Sequence, residues 1–218
     1  MISDPNVVQI ARNKLETSKV LSACGILTPR TWSISQIRDE LPTWDGRVVC
    51  KPRCGSASEG IQIAGSLRVA ARLPLDDTYI VQELLEGKEY TVNVFFDRFG
   101  KVRCAISHWR IEVRSGEVAK GMTERLGWLD ENISNFEKAL PGAQGPICFQ
   151  MIQSESGKYG TFEINARFGG GYPLAHSAGA RFSQWLLEES AGLPSHASNR
   201  WREGVLMFRY DAAIFRGA

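Results

Sequence analysis

No apolar run in this chain approaches the roughly 18 residues that a membrane-spanning helix needs, so no helical span is expected. The opening Met1-Ile-Ser-Asp-Pro5-Asn6 has no basic segment followed by an apolar core, which argues against a secretory signal peptide. Blocks of Lys and Arg are missing and the net charge is only +2, so nothing points to nucleic acid as a partner. The five cysteines (Cys24, Cys50, Cys54, Cys104, Cys148) are odd in number and form no C-x-x-C pair. A zinc site is therefore not expected, and a reduced, cytoplasmic protein is the simplest account. The three histidines stand in no Ser-His-Asp or Cys-His order, which argues against a covalent enzyme nucleophile. His108 beside Trp109 reads as a strand residue and His196 as a loop residue; only His176, just past a glycine run, is placed to approach a substrate. Internal repeats and low-complexity segments are absent.

What is present is an ordinary globular composition, 43% apolar and 23% charged, in a length that supports one substantial core split into two lobes. Pro5 and the spacing of Val7, Val8, Ala11, Leu15 and Leu21 predict one helix running to Gly25. Short helices are expected over 35–41 and 66–73, and longer ones over 131–140 and 180–191. Strands are expected over 47–52, 61–64, 78–83, 88–96, 101–111 and 205–210, with 114–125 a loop. Helices and strands alternate without a regular βαβ cadence, and the strand pairs read as antiparallel, so the class is α+β.

The most informative stretch runs from Gln150 to Arg167 and reads as a hairpin about Ser156-Gly157. That fold sets Gln150 opposite Glu163 and Cys148 opposite Asn165, and residues directly opposed share a sheet face. Glu163 and Asn165 share it too by the period of two, with Arg167 two residues beyond. A carboxylate and two amides suit Mg²⁺, which takes few protein ligands and completes its octahedron with water and phosphate. The plainer alternative is a polar, solvent-facing hairpin. The following Phe168-Gly-Gly-Gly-Tyr172-Pro173 favours the site, since glycines let backbone approach a ligand closely.

Lys51 ends a strand and precedes a small-residue loop, Arg53-Cys-Gly55-Ser56-Ala57-Ser-Glu-Gly60, offering a charge and free N–H groups to phosphate oxygens. The lysine precedes the glycines, so this is not a Walker A loop, and an ordinary surface loop is the alternative. The segment from Tyr79 through Gln82-Glu83-Leu84-Leu85 to Glu89 reads as a hinge between lobes. Its backbone can meet an adenine edge while Glu89 accepts from ribose hydroxyls; by itself Glu89 reads by default as a solvated strand residue.

In order and spacing, Asn13-Lys14, Lys51 with its loop, Gln82 to Glu89 and Gln150 to Arg167 resemble the ATP-grasp superfamily. The likeness is to its carboxylate–amine ligase and carbamoyl-phosphate-synthase-like branch, and it runs from about residue 12 onward. It implies an ATP-grasp fold: one domain over 1–218, with a small lobe at 5–82, a large lobe at 83–218, and mainly antiparallel sheets clamping ATP. It further implies that Lys14, Lys51 and Ser56 contact ATP phosphates, that Gln82, Glu83, Leu84 and Leu85 form the adenine hinge, and that Glu89 takes the ribose. Gln150, Glu163 and Asn165 would hold Mg²⁺ (or Mn²⁺), Arg167 would face the carboxylate or its acyl phosphate, and Lys120 would approach the γ-phosphate or substrate. The implied activity is ATP-dependent ligation of a small-molecule carboxylate to an amine or ammonia; the alternative is an ATP-binding regulatory or scaffold subunit. Three departures stand out: Asn13 where the family has aspartate, Ala57 where it often has glycine, and a start almost at the Lys14 helix, where the family usually carries an N-terminal α/β domain. We therefore expect self-association or a separately encoded partner that supplies this domain.

Overall fold

Two antiparallel sheets joined by residues 84–87 carry the strands of this protein. The computed structural model describes residues 2–55, 60–210, 212 and 216. The smaller sheet has the order β1-β4-β2-β3, with β1 Thr31–Ser33, β2 Val48–Pro52, β3 Gln62–Ala64 and β4 Tyr79–Glu83. The larger has the order β10-β7-β6-β5-β8-β9. Its strands are β5 Lys88–Phe96, β6 Val102–Arg114, β7 Glu117–Thr123, β8 Gly145–Gln153, β9 Tyr159–Asn165 and β10 Leu206–Phe208. Every strand pairing is antiparallel, so the α+β class holds. Among the described residues no helix is long and apolar enough to cross a membrane.

Alternation within strands decides what each sheet face does. In β2, Val48 and Cys50 enter a core with Ile34 and Ile37 of α3 (Ile34–Asp39) and with Leu67 and Ala70 of α4 (Leu67–Ala70). Lys51 takes the other face. In β5, Tyr90, Val92, Val94 and Phe96 enter the main core, which also holds Phe136 of α5 (Gly127–Ala139). The opposite face of β5 changes character along its length. Phe95 packs on Phe182 and Trp185 of α7 (Phe182–Ser190), with ring centroids 5.5 and 5.4 Å apart, whereas Asn93, Thr91 and Glu89 run on toward the gap between the sheets. One strand thus anchors a core at one end and lines a polar cleft at the other.

The single helix expected over 5–25 is two, α1 Pro5–Arg12 and α2 Lys14–Ala23. Asn13 between them is extended, and its Oδ1 accepts from the N–H groups of Leu15 and Glu16 at 3.2 and 3.3 Å, capping α2. Arg53 Nε donates to the same oxygen at 2.9 Å, and Lys14 N–H donates to the Arg53 carbonyl at 2.9 Å. An interruption that apolar spacing cannot reveal therefore ties α2 to the end of β2. Val7, Ala11, Leu21 and Ile26 belong to the core of the larger sheet, so the helices at 5–23 pack against that sheet.

Two further elements differ from expectation. Residues 114–125 hold β7 instead of a loop. Ser115 and Gly116, with φ of 48° and 80°, make the two-residue turn from β6, a conformation in which both residues are left-handed. A short helix, α6 Tyr172–Ser177, follows the glycine run. The β8–β9 hairpin has the expected register at Cys148↔Asn165 and Gln150↔Glu163, but one extra residue, Phe162, shifts it to Met151↔Thr161 nearer the loop. This bulge aims both Phe162 and Glu163 into the cleft, although neighbours on a regular strand face opposite ways.

Replacing Asn13 by alanine removes the cap of α2 and the acceptor for Arg53. It should destabilise the protein by about 1–2 kcal/mol in denaturant unfolding, while Asn13→Asp, which keeps both acceptor roles, should not. An alanine variant as stable as the parent would show that Asn13 is a passive linker.

Candidate functional site

The gap between the sheets is one continuous cleft of three recesses, about 260, 340 and 110 Å³, that share Glu163. The first is lined by Lys14 and Gly55 on one side, Lys51 and Phe162 at its floor, and Glu89, Arg110 and Gln150 from the larger sheet. Lys51 and Lys14 are each 7% exposed. Lys14 is anchored by a 2.8 Å hydrogen bond from its Nζ to the Gly55 carbonyl. The Lys51 ammonium lies 5.0 Å from the centre of the Phe162 ring, a cation–π contact made possible by the bulge. Burial pulls the Lys51 pKa down to about 8; the nearby Glu163 opposes the shift and Lys14 adds to it. Two cations kept dry at the start of a small-residue loop have the charge and donors that could take phosphate oxygens. Ser56 and Ala57 of that loop lie outside the described residues.

Gln150, Glu163 and Asn165 converge as expected, the first two in the 260 Å³ recess and all three in the 110 Å³ recess. Asn165 Nδ2 donates to Glu163 Oε1 at 3.0 Å, fixing the carboxylate and leaving the amide oxygen available. Among the described residues no group of three or more His, Cys, Asp or Glu gathers as a metal site. One carboxylate with two amide oxygens, open to the phosphate recess, nevertheless fits Mg²⁺ carried by phosphate oxygens and water. Arg167 joins Asn165 in two of the recesses and has no carboxylate partner among the described residues.

Other candidates are placed differently. Glu89 lines the phosphate recess, and burial raises its pKa while Arg110, with Nε 3.2 Å from its Oε1, works against the rise. Gln82 is buried in the ladder between Thr31 and Val49, with its amide donating to Thr31 at 2.8 Å, and Glu83 is bonded to Arg30. Leu84 N–H donates to the Arg47 carbonyl. Among the described residues only Leu85 in this segment keeps both backbone groups free of hydrogen bonds. The four hinge residues border none of the three recesses. Lys120 is also absent from their walls; it pairs with Glu112 beside β10. His176 bonds to the Tyr172 hydroxyl and stands outside the cleft.

Sequence reasoning missed Arg110. Its guanidinium side chain is only 7% exposed and reaches Glu89, the Thr91 hydroxyl at 3.3 Å and the Gly116 carbonyl at 2.8 Å. It therefore ties the proposed ribose ligand to the tip of the β6–β7 hairpin. An arginine in an amphipathic strand gives no signal until β7 is recognised as its partner. The glycine run was recognised, and its reason is steric. A Cβ on Gly171 would come within 2.5 Å of the buried His108 Nε2, and one on Gly169 would press on Asn93 and Cys148. His108 is buried and its pKa is lowered to about 3 by burial, so it stays neutral beneath that run.

Two antiparallel sheets thus face one cleft lined by two buried lysines, a carboxylate and two amides. The sequence profile of the ATP-grasp domain matches residues 11–171, and the chain belongs to the ATP-grasp family. No curated protein matches the sequence. Among solved structures, it is similar to the biotin carboxylase domain of Hydrogenobacter thermophilus 2-oxoglutarate carboxylase, solved with MgADP, ADP and bicarbonate: TM-score 0.73, 17% identity, over 91% of this chain and 49% of that one. Campylobacter jejuni biotin carboxylase superposes with TM-score 0.74 at 15% identity, over 92% of this chain and 51% of that one. An L-amino acid ligase from Bacillus licheniformis gives TM-score 0.64 at 20% identity, over 84% and 48%. At these identities the likeness is one of fold, and the chain spans about half the length of each structure.

The depressed Lys51 pKa gives a thermodynamic signature. With a value near 8, Lys51 is about half protonated in the free protein at pH 8, and bound phosphates should restore its full charge. Mg-ATP binding at pH 8 should therefore take up about half a proton, falling toward none at pH 6.5. Calorimetry in buffers of different ionisation enthalpy measures the uptake, and Lys51→Met should remove it. Equal uptake in the parent and the variant would assign it elsewhere.

Proposed function

We propose that the protein is an ATP-dependent carboxylate–amine ligase of the carbamoyl-phosphate-synthase-like branch. The γ-phosphoryl group of ATP passes to a carboxylate oxygen and ADP departs. The nitrogen of an amine or ammonia then attacks the carbonyl carbon of the acyl phosphate, phosphate leaves and the nitrogen gives up a proton. The observation that carries this reading is the convergence of Lys14, Lys51, Glu163, Asn165 and Arg167 on one cleft. Lys14 and Lys51 hold the phosphate chain and neutralise it. Glu163, Asn165 and Gln150 would hold Mg²⁺, which supplies charge neutralisation at the transferring phosphoryl group. Arg167, as an exposed fork beside the metal corner, orients the carboxylate and then its acyl phosphate. No protein nucleophile is needed, because positioning and charge stabilisation do the catalytic work. Glu89, set by Arg110, receives the ribose, and the Leu85 backbone the adenine edge.

The test is ADP release that depends on both an acid and an amine. Glu163→Gln keeps the shape of the side chain but removes its carboxylate from between Gln150 and Asn165. It should lower turnover about 100-fold or more, which is about 2.7 kcal/mol, with little change in melting temperature. Arg167→Lys should reduce kcat while leaving Mg-ATP affinity near that of the parent, since an ammonium cannot reproduce two parallel hydrogen bonds. Mg-ATP binding without acid-dependent ADP release in the parent protein would overturn the ligase reading and favour an ATP-binding subunit.

A further inference from the structure

The 340 Å³ recess beside the phosphate site carries more positive charge than the reaction uses. Arg12, Lys14 and Arg167 line it against one carboxylate, Glu163. Three of these four groups have hydrogen-bond partners: Lys14 donates to the Gly55 carbonyl, Glu163 accepts from Asn165, and one arm of Arg167 donates to the Phe168 carbonyl at 2.9 Å. Arg12 and Arg167 have no carboxylate partner among the described residues, and both are exposed, with the rest of the Arg167 fork turned to the recess. The Arg12 backbone is fixed by its place at the end of α1, directly before the Asn13 cap that also binds Arg53. Between the charged groups the wall is aliphatic, formed by Val8, Ala11 and Ile164.

A reacting monocarboxylate engages Arg167 beside the metal corner and leaves Arg12 without a counterpart. We propose that this recess is the acid-substrate pocket and that it selects an acid with a second anionic group, joined by a short aliphatic spacer and held by Arg12. The proposal rests on the ligase reading for which end of the acid reacts, but its binding claim can be tested without turnover. A guanidinium–carboxylate or guanidinium–phosphonate contact supplies the recognition, and the apolar wall accommodates the spacer.

The experiment measures binding to the protein loaded with Mg²⁺ and a non-hydrolysable ATP analogue. Succinate, glutarate and adipate are each compared with the monocarboxylate of equal chain length, and 3-phosphonopropanoate separates a phosphonate from a second carboxylate. At least one dianionic acid should bind about tenfold tighter than its monoacid. Arg12→Ala and Arg12→Gln should both erase that preference, while Arg12→Lys keeps part of it. Circular dichroism melting checks that the variants fold, and the exposed position of Arg12 gives no structural reason for them to fail. Equal binding of mono- and diacids, no binding of any diacid, or a preference that survives both neutral variants would each overturn the proposal. ADP release on adding an amine reports separately on the ligase reading: diacid binding that needs Arg12 but yields no ADP would uphold the subsite and reject the ligase.

Discussion

The structure is organised around an ammonium group that it keeps away from water. Burying a lysine is costly unless a counter-charge is at hand, and here the carboxylate that acts on it, Glu163, is shared with Asn165. The lowered Lys51 pKa expresses this unresolved cost. What offsets it in the free protein is a ring face, that of Phe162, and not an ion pair. A site held so short of negative charge is electrostatically prepared for a polyphosphate, because the bound anion supplies what the fold withholds. Lys14, Arg12 and Arg167 carry the same excess along the cleft, where among the described residues Glu89, already paired with Arg110, Glu117 and Glu163 oppose it.

Rigid elements place this charge. Lys51 ends a strand whose other face is packed by α3 and α4, Glu163 follows a bulge in a strand covered by α1 and α2, and Glu89, Thr91 and Asn93 continue the face that Phe95 buries under α7. Each functional group is therefore fixed by a neighbour, one or two residues away, that is locked into a core. The polar cleft and the apolar cores are two ends of the same strands.

Much of this was legible in the sequence, for identifiable reasons. The opposition of Gln150 to Glu163 follows from strand period and loop position, and Lys51 announces itself by standing between an apolar strand and a small-residue loop. What escaped depends on contacts distant in sequence. The break at Asn13 is set by a cap and by Arg53, neither visible in apolar spacing. The strand β7 reads as a loop because Glu117-Val-Ala-Lys-Gly121 is weak in β propensity and gains its stability from β6 and β10. Arg110 could not be assigned before its partners Glu89 and Gly116 were known to be adjacent. The Phe162 bulge is a shift of one residue, finer than turn rules resolve.

The way the chain closes on itself has a consequence for its synthesis. Asp4 N–H donates to the Gly142 carbonyl, the Ser3 hydroxyl to Gln144, and Thr161 N–H to the Leu27 carbonyl, while Val7, Ala11 and Leu21 pack beside Ile164. The helix that delivers Lys14 thus completes its packing only when β9 leaves the ribosome, long after it has itself emerged. Contacts so far apart in sequence carry a large loop-closure cost and form late. The small sheet, whose strands all lie within residues 31–83, can condense on its own while the N-terminal helices wait. Glu163 can meet Lys51 only after β9 is made, more than a hundred residues beyond β2, so the cleft is assembled late.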